Sequence, residues 1–195
     1  MSPRPQKVTD DDVFMAAQRA MSRLGPGELT LAEIAAEAGV TAGLLVQRFG
    51  SKRALLLALS GRFSGGTAEM FAQLRAANQS PLAALRAYSD GMANLASSPA
   101  ALARNFAYLQ IDLTDPDFRR HLAKQATATR KELHKLVREA IEAGELGPQA
   151  RPAELARTIE AIVAGSMMSW AFYQKGPAAK WMRRDLDAIL APYLI

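Results

Sequence analysis

The stretch LAEIAAEAGVTAGLLVQRFGSK, residues 31–52, constrains the fold more than any other part of the chain. Thr30 and Glu33 have capping-box spacing, and Leu31, Ile34, Ala35 and Ala38 fall at i, i+3, i+4 and i+7, so a short helix with one apolar face is predicted. Gly39 ends it and Val40 plugs the turn. Thr41 caps the next helix, whose inward face is Leu45 and Phe49. Gly43, Val46 and Gln47 then lie on its outward face, flanked by Leu44, in a run from Thr41 to Arg53 that has no acidic residue.

A supporting helix precedes this pair. Thr9 and Asp12 repeat the capping spacing, and Asp10, Asp11 and Asp12 suit the positive end of a helix dipole. Val13, Ala17, Ala20, Met21 and Leu24 recur at the helical period until Gly25-Pro26-Gly27 stops the run. Ser51 caps a long helix predicted from Lys52 to about Ala77, in which Gly61 and Gly65-Gly66 predict a bend or break. Further helices are predicted over 81–96, 99–113, 116–143, 152–173 and 179–194, set off by Pro, Ser, Asp or Gly. No strand pattern competes. With 49% hydrophobic residues rich in Ala and Leu and only 7% aromatic, the chain is expected to be all-α.

Composition narrows the function classes. The absence of cysteine excludes disulfides, thiolate catalysis and cysteine-ligated metals, and it fits the reducing cytoplasm, where the chain is expected to act. Residues 1–8 carry charge without an apolar segment behind them and are expected to form a flexible arm, not a signal peptide. The longest uncharged run near the end, 161–174, falls short of the roughly 20 residues of a membrane span, so no membrane partner is expected. The net charge of +5 permits an acidic partner without naming one, because residues 1–55 balance seven Lys and Arg against six Asp and Glu. A nucleic-acid reading must rest on where the charges sit.

Two helices joined by a tight glycine turn, with a helix in support, make a helix-turn-helix whose second helix enters the major groove. Residues 9–50 are therefore expected to bind double-stranded DNA. Gln47, Arg48 and Lys52 offer donors, Thr30 and Thr41 add hydroxyls at helix N-termini, and Ala42, Gly43, Leu44 and Val46 complete the surface facing DNA. Gln47 is assigned to base edges, Lys52, Thr30 and Thr41 to phosphate. The plainer alternative is a helical corner whose polar face is merely solvated.

The segment TLAEIAAEAGVTAGLLVQRFGSKRALLLAL resembles the DNA-binding part of the TetR family of bacterial transcriptional regulators. The likeness is carried by Ile34-Ala35, Ala38-Gly39-Val40, Thr41, Gly43, Leu45, Phe49 and Ser51-Lys52, with AIEAGEL ahead of the last two helices. It implies an all-helical homodimer that represses transcription from a palindromic operator and releases DNA when a small molecule binds the C-terminal part. Residues 51–195 then comprise a linking helix plus a ligand-binding and dimerisation domain. Two positions depart from the family: Val46 stands where Tyr is common and Arg48 where His is common, so the usual aromatic phosphate contact is missing and Arg48 brings charge in its place.

In the regulatory part, Phe106, Leu109, Gln110 and Leu113, with Met70, Met92, Leu95, Trp170 and Tyr173, are candidates to line a cavity for a largely apolar effector. Each taken singly is better read as a core position, and Gln110 fits a satisfied core amide as well as a ligand contact. Residues 152–173 carry two apolar stripes, one for the chain's own core and one, Ala161, Gly165, Met168 and Phe172, for a partner subunit. Leu186, Ile189, Leu190 and Tyr193 on the last helix are a second interface candidate. His121 and His134 lie thirteen residues apart, not at the i, i+4 spacing of a helical metal pair, so no metal and no cofactor is expected. No catalytic signature stands out, and an enzyme is not expected. The rival readings are a DNA-binding regulator without a small-molecule effector and a helical enzyme with an incidental helix-turn-helix.

Overall fold

The computed structural model describes residues 8–195, and the expected N-terminal arm lies outside them except for Val8. Among the described residues nine α-helices follow one another: α1 Asp10–Arg23, α2 Leu31–Ala38, α3 Ala42–Phe49, α4 Lys52–Ala77, α5 Pro81–Met92, α6 Pro99–Thr114, α7 Pro116–Glu142, α8 Pro152–Tyr173 and α9 Ala178–Leu190. Short 3-10 turns occupy Ala93–Ala96 and Ala191–Tyr193. An isolated antiparallel bridge between Leu146 and Leu194 is the one β-type pairing among these residues. The fold is all-α, as the composition requires.

Three helices differ from expectation. The helix expected over 81–96 tightens into a 3-10 turn after Met92, and α9 stops at Leu190, just ahead of Pro192, which has no backbone N–H. Of the bend or break expected at the glycines of α4, the break does not occur: the helix runs continuously from Lys52 to Ala77. Glycine costs a helix interior about 0.5–1 kcal/mol but does not forbid the conformation. Gly61 has a packing reason to be there: a Cβ would stand 3.2 Å from Cε1 of His121.

The chain divides into two compact units. The first comprises the described residues up to Arg62 together with Ala103–His121, and the second comprises Phe63–Leu102 and Leu122–Ile195. In the first, Val13, Ala17 and Ala20 of α1, Ile34 and Ala35 of α2, Leu45 of α3, and Leu55 and Leu59 of α4 are buried together with Leu29. Phe14 and Phe49 close the edge at 5.9 Å between ring centroids.

In the second unit, Phe71 stacks on Tyr88 at 5.2 Å within a core that takes in Leu85, Leu133, Leu136, Ile159 and Met182. Burial pushes the Tyr88 hydroxyl up to about 12, with the Glu160 carboxylate adding to it. Arg75 bonds Glu132 at 3.0 Å and Glu139 at 2.9 Å, which offsets the cost of burying the Glu132 carboxylate. The two stripes of α8 separate as expected. Leu155, Ile159, Val163, Ser166, Met167 and Trp170 are buried, and Ser166 donates from Oγ to Asp185 at 2.7 Å.

Ala161, Gly165, Met168 and Phe172 are exposed. Phe172 keeps 74% of its surface and Met168 48%, too much uncovered ring and thioether for one helix face to be explained as core. The last helix corrects the second interface candidate. Leu186 and Leu190 are fully buried beside Met182 in the chain's own core, so their side chains are not on a surface a partner reaches; Ile189 and Tyr193 are half-buried.

Candidate nucleic-acid interface

The corner between α2 and α3 is built by its backbone. Gly39 adopts φ 67 and ψ 31, its N–H bonds the Ala36 carbonyl at 3.3 Å, and the N–H of Val40 bonds Ala35 at 2.9 Å, the paired bonds of a Schellman motif. Only glycine takes that left-handed conformation cheaply. Thr41 then restarts the helix by accepting the Leu44 amide on Oγ1 at 3.2 Å, as Thr30 accepts that of Glu33 at 3.1 Å. Both hydroxyls remain exposed.

Salt bridges hold α2 against α1. Arg19 and Arg23, one turn apart, grip the two oxygens of Glu37 at 2.8 and 2.6 Å. The Arg19 hydrogen bond is the main reason the Glu37 carboxyl lies below its ordinary range. Two residues of α6 in the same unit satisfy the end of α1, where carbonyls lack helical partners: Tyr108 donates to Leu24 at 2.9 Å and Arg104 to Ser22 at 3.0 Å. Burial raises the Tyr108 hydroxyl to about 12.

With the frame fixed, α3 buries Leu45, half-buries Ala42 and Phe49, and exposes Gly43, Leu44, Val46, Gln47 and Arg48. The outward face is thus formed by the residues assigned to it. Leu44 keeps 40% and Val46 50% of its surface. No acidic side chain belongs to α3 or to the first turn of α4.

The cations around this face are placed otherwise than expected. Lys52 is half-buried, and its Nζ donates to the carbonyls of Leu29 at 2.7 Å and Pro26 at 3.1 Å, so the ammonium assigned to phosphate ties the loop before α2 to the start of α4. Arg48 pairs through Nε with Asp10 at 2.5 Å and donates through Nη1 to the Val8 carbonyl at 2.9 Å, which fastens α3 to the head of α1. Arg53 forms a two-pronged bond to Asp115 at 2.9 and 2.8 Å and a further one to Asp117 at 2.8 Å. Burial works against the Asp115 charge, but the Asp117 amide and Arg53 outweigh it and hold the carboxyl below its ordinary range.

Sequence reading missed the last two arrangements. Asp10 was legible only as a dipole partner for α1, and nothing local links Arg53 to carboxylates sixty residues away. Gln47 makes no hydrogen bond within the described residues.

The effector candidates fall in both units. Phe106, Leu109, Gln110 and Leu113 belong to the first; Met70, Met92, Leu95, Trp170 and Tyr173 belong to the second. Gln110 is exposed, so its amide is not the enclosed group that the apolar stripe had suggested. Trp170 is buried and donates its indole N–H to Gly176 at 2.8 Å, whereas Met70, Leu95 and Tyr173 are exposed. Two open pockets among the described residues lie away from these candidates. One of about 410 Å³ is lined by Thr9, Asp12, Met15, Arg19 and Glu37, and one of about 300 Å³ by Thr127, Arg130, Lys131, His134, Ala153 and Ala156. Among the described residues no three His, Asp or Glu side chains gather as a metal site would need, and no helix is long and apolar enough to cross a membrane.

A capped pair of short helices around a left-handed glycine, presenting an acid-free exposed face on the second, defines a helix-turn-helix DNA-binding protein. Comparison with known proteins gives the family. The pattern of the bacterial regulatory proteins of the tetR family matches residues 14–59, and that of the tetracyclin repressor-like C-terminal domain matches residues 106–186. The chain belongs to the TetR family of transcriptional regulators, whose members bind DNA operators as dimers.

Solved structures agree on the fold. A TetR transcription regulator from Haloarcula marismortui superposes with a TM-score of 0.73 at 17% identity, covering 95% of this chain and 98% of that one. SmeT, the repressor of the Stenotrophomonas maltophilia multidrug efflux pump SmeDEF, gives 0.66 at 21% identity over 97% and 92%. FadR from Bacillus subtilis, solved with stearoyl-CoA, gives 0.69 at 16% over 94% and 98%. A search of curated proteins finds no matching sequence.

Proposed function

We propose that the chain is a ligand-responsive repressor that acts as a homodimer on a palindromic operator and leaves it when a small, largely apolar molecule binds. The observation that carries the DNA-binding half is the exposed, acid-free outer face of α3, held rigid by the caps at Thr30 and Thr41 and the Glu37 clamp. In this reading residues 9–50 bind DNA, α4 links, and the rest of 51–195 holds the dimer contact and the effector. The exposed stripe of α8 supports the dimer, because Gly165 and Ala161 let a second helix approach closely beside Met168 and Phe172. SmeT and FadR support a repressor and an apolar effector respectively, by the roles their descriptions carry.

The mechanism is one of spacing. Two recognition helices engage successive half-sites only when the dimer holds them about 34–36 Å apart, or a multiple of that distance. An effector acts by binding the other spacing better, and its leverage equals that difference in affinity.

The test is fluorescence anisotropy with duplexes from the DNA flanking the protein's own coding sequence, near 0.1 M salt. One duplex should bind at least a hundredfold tighter than random sequence, and a candidate effector should weaken it by the factor by which DNA weakens effector binding. Equal binding to every duplex would end the regulator reading. Tight operator binding that no apolar ligand disturbs would leave a regulator without an effector.

A further inference from the structure

We infer that this protein reads its operator through thymine methyl groups, with Leu44 and Val46 packing on the C5-methyls that flank an adenine bonded by Gln47. The inference rests on the DNA-binding reading and names the chemistry of the half-site it requires. Three observations converge on it.

The first is which donors are spent. Guanine is commonly read by Arg or Lys on its O6 and N7. Here Arg48 is committed to Asp10 and Val8, Lys52 to Leu29 and Pro26, and Arg53 to Asp115 and Asp117. No cation of α3 or the first turn of α4 is left without an anionic or carbonyl partner.

The second is what remains exposed. At about 3.6 residues per turn, Gln47 and Gly43 lie opposite the buried pair Leu45 and Phe49, with Leu44 on one flank and Val46 on the other. A single exposed apolar side chain would mean little. Two of them, 40% and 50% exposed, bracketing an amide with no partner among the described residues, match the edge of an A·T pair, where adenine N6 and N7 lie beside thymine O4 and its methyl.

The third is Gly43. Its backbone is not left-handed, and a Cβ there would meet only Thr41 Oγ1 at 4.0 Å, so neither turn geometry nor packing asks for glycine. The absence of a side chain lets the first turn of α3 come close to base edges, within reach of methyl contact for its neighbours.

The experiment begins with selection of bound duplexes from a random-sequence library by the full-length protein. In the selected duplex each thymine of one half-site is replaced in turn by deoxyuridine, which removes the methyl and keeps every hydrogen-bonding group. Affinity should fall about fourfold per contacted methyl, the effect of uncovering one methyl-sized group. Leu44→Ala and Val46→Ala should each bind the thymine and uracil versions of one position equally. Because both side chains are exposed, the variants should keep the parent's helical melt.

Failure to enrich any duplex would defeat the DNA-binding reading itself. Enrichment with no uracil effect, or a half-site lacking thymine beneath α3, would overturn the methyl readout and leave the regulator intact. A uracil effect that persists in both variants would place the methyl sensitivity in DNA shape and likewise overturn it.

Discussion

Replacing Lys52 by Met separates two roles that one ammonium can play. Nζ donates to Leu29 at 2.7 Å and to Pro26 at 3.1 Å, and Leu29 itself is fully buried at the centre of the first unit. Methionine keeps the apolar stem and removes the charge. Bonds to charged groups contribute about 1.5–3 kcal/mol each when enclosed. Because Lys52 is only half-buried, water replaces part of what is lost, and the pair together should be worth about 2 kcal/mol. For a chain of this length that lowers the unfolding midpoint by about 4–8 °C, readable by far-UV circular dichroism. The salt dependence of operator binding should keep the parent's slope, since no phosphate contact is removed. A midpoint unchanged within a degree, with a log–log slope shallower by about one, would show that the ammonium serves phosphate and that the tie to the loop is incidental.

Gly43→Ala should raise thermal stability slightly, by at most about 0.5–1 kcal/mol, while weakening operator binding; a variant that gains stability and keeps its affinity removes Gly43 from the interface. Glu37→Gln should alter the acid limb of stability. The carboxyl lies below its ordinary value of 4.5 in the folded state, so its contribution is fully present above that value and fades as pH falls through the lowered one. Melts of parent and variant should therefore converge at the most acid end, and curves that stay parallel down to about pH 3 would contradict the clamp. Gly165→Glu should turn a dimer into a monomer in sedimentation at micromolar concentration, and an unchanged dimer would move the interface off the exposed stripe of α8.

What the sequence made legible was whatever short-range chemistry decides. The caps at Thr9, Thr30 and Thr41 and the left-handed Gly39 are each settled within a few residues, so the helix-turn-helix could be read to its inward and outward faces. The α8 stripes were equally local, since about 3.6 residues per turn sorts Leu155, Ile159 and Val163 from Ala161, Gly165 and Met168 without knowledge of any neighbour. Where a helix is amphipathic on one face only, as in α9, that period shows that a face is buried but not against what. Leu186 and Leu190 could therefore pass for an interface when they belong to the chain's own core.

The polar residues follow a different logic, and it bears on how the site works. A cation on an exposed helix reads as a phosphate ligand until its nearest acceptor is known, and for Arg48, Lys52 and Arg53 the partners stand 38, 23 and 62 residues away or further. Those ties hold α3 to the head of α1, and α4 to the loop before α2 and to Asp115. In the proposed readout the charges that flank α3 thus act first on its position, and its uncharged face discriminates between bases. Under that proposal, positioning by cations and reading by Leu44, Val46 and Gln47 are separable. Variants of the first set should shift stability and affinity together for all duplexes, whereas variants of the second should change only which duplex is preferred.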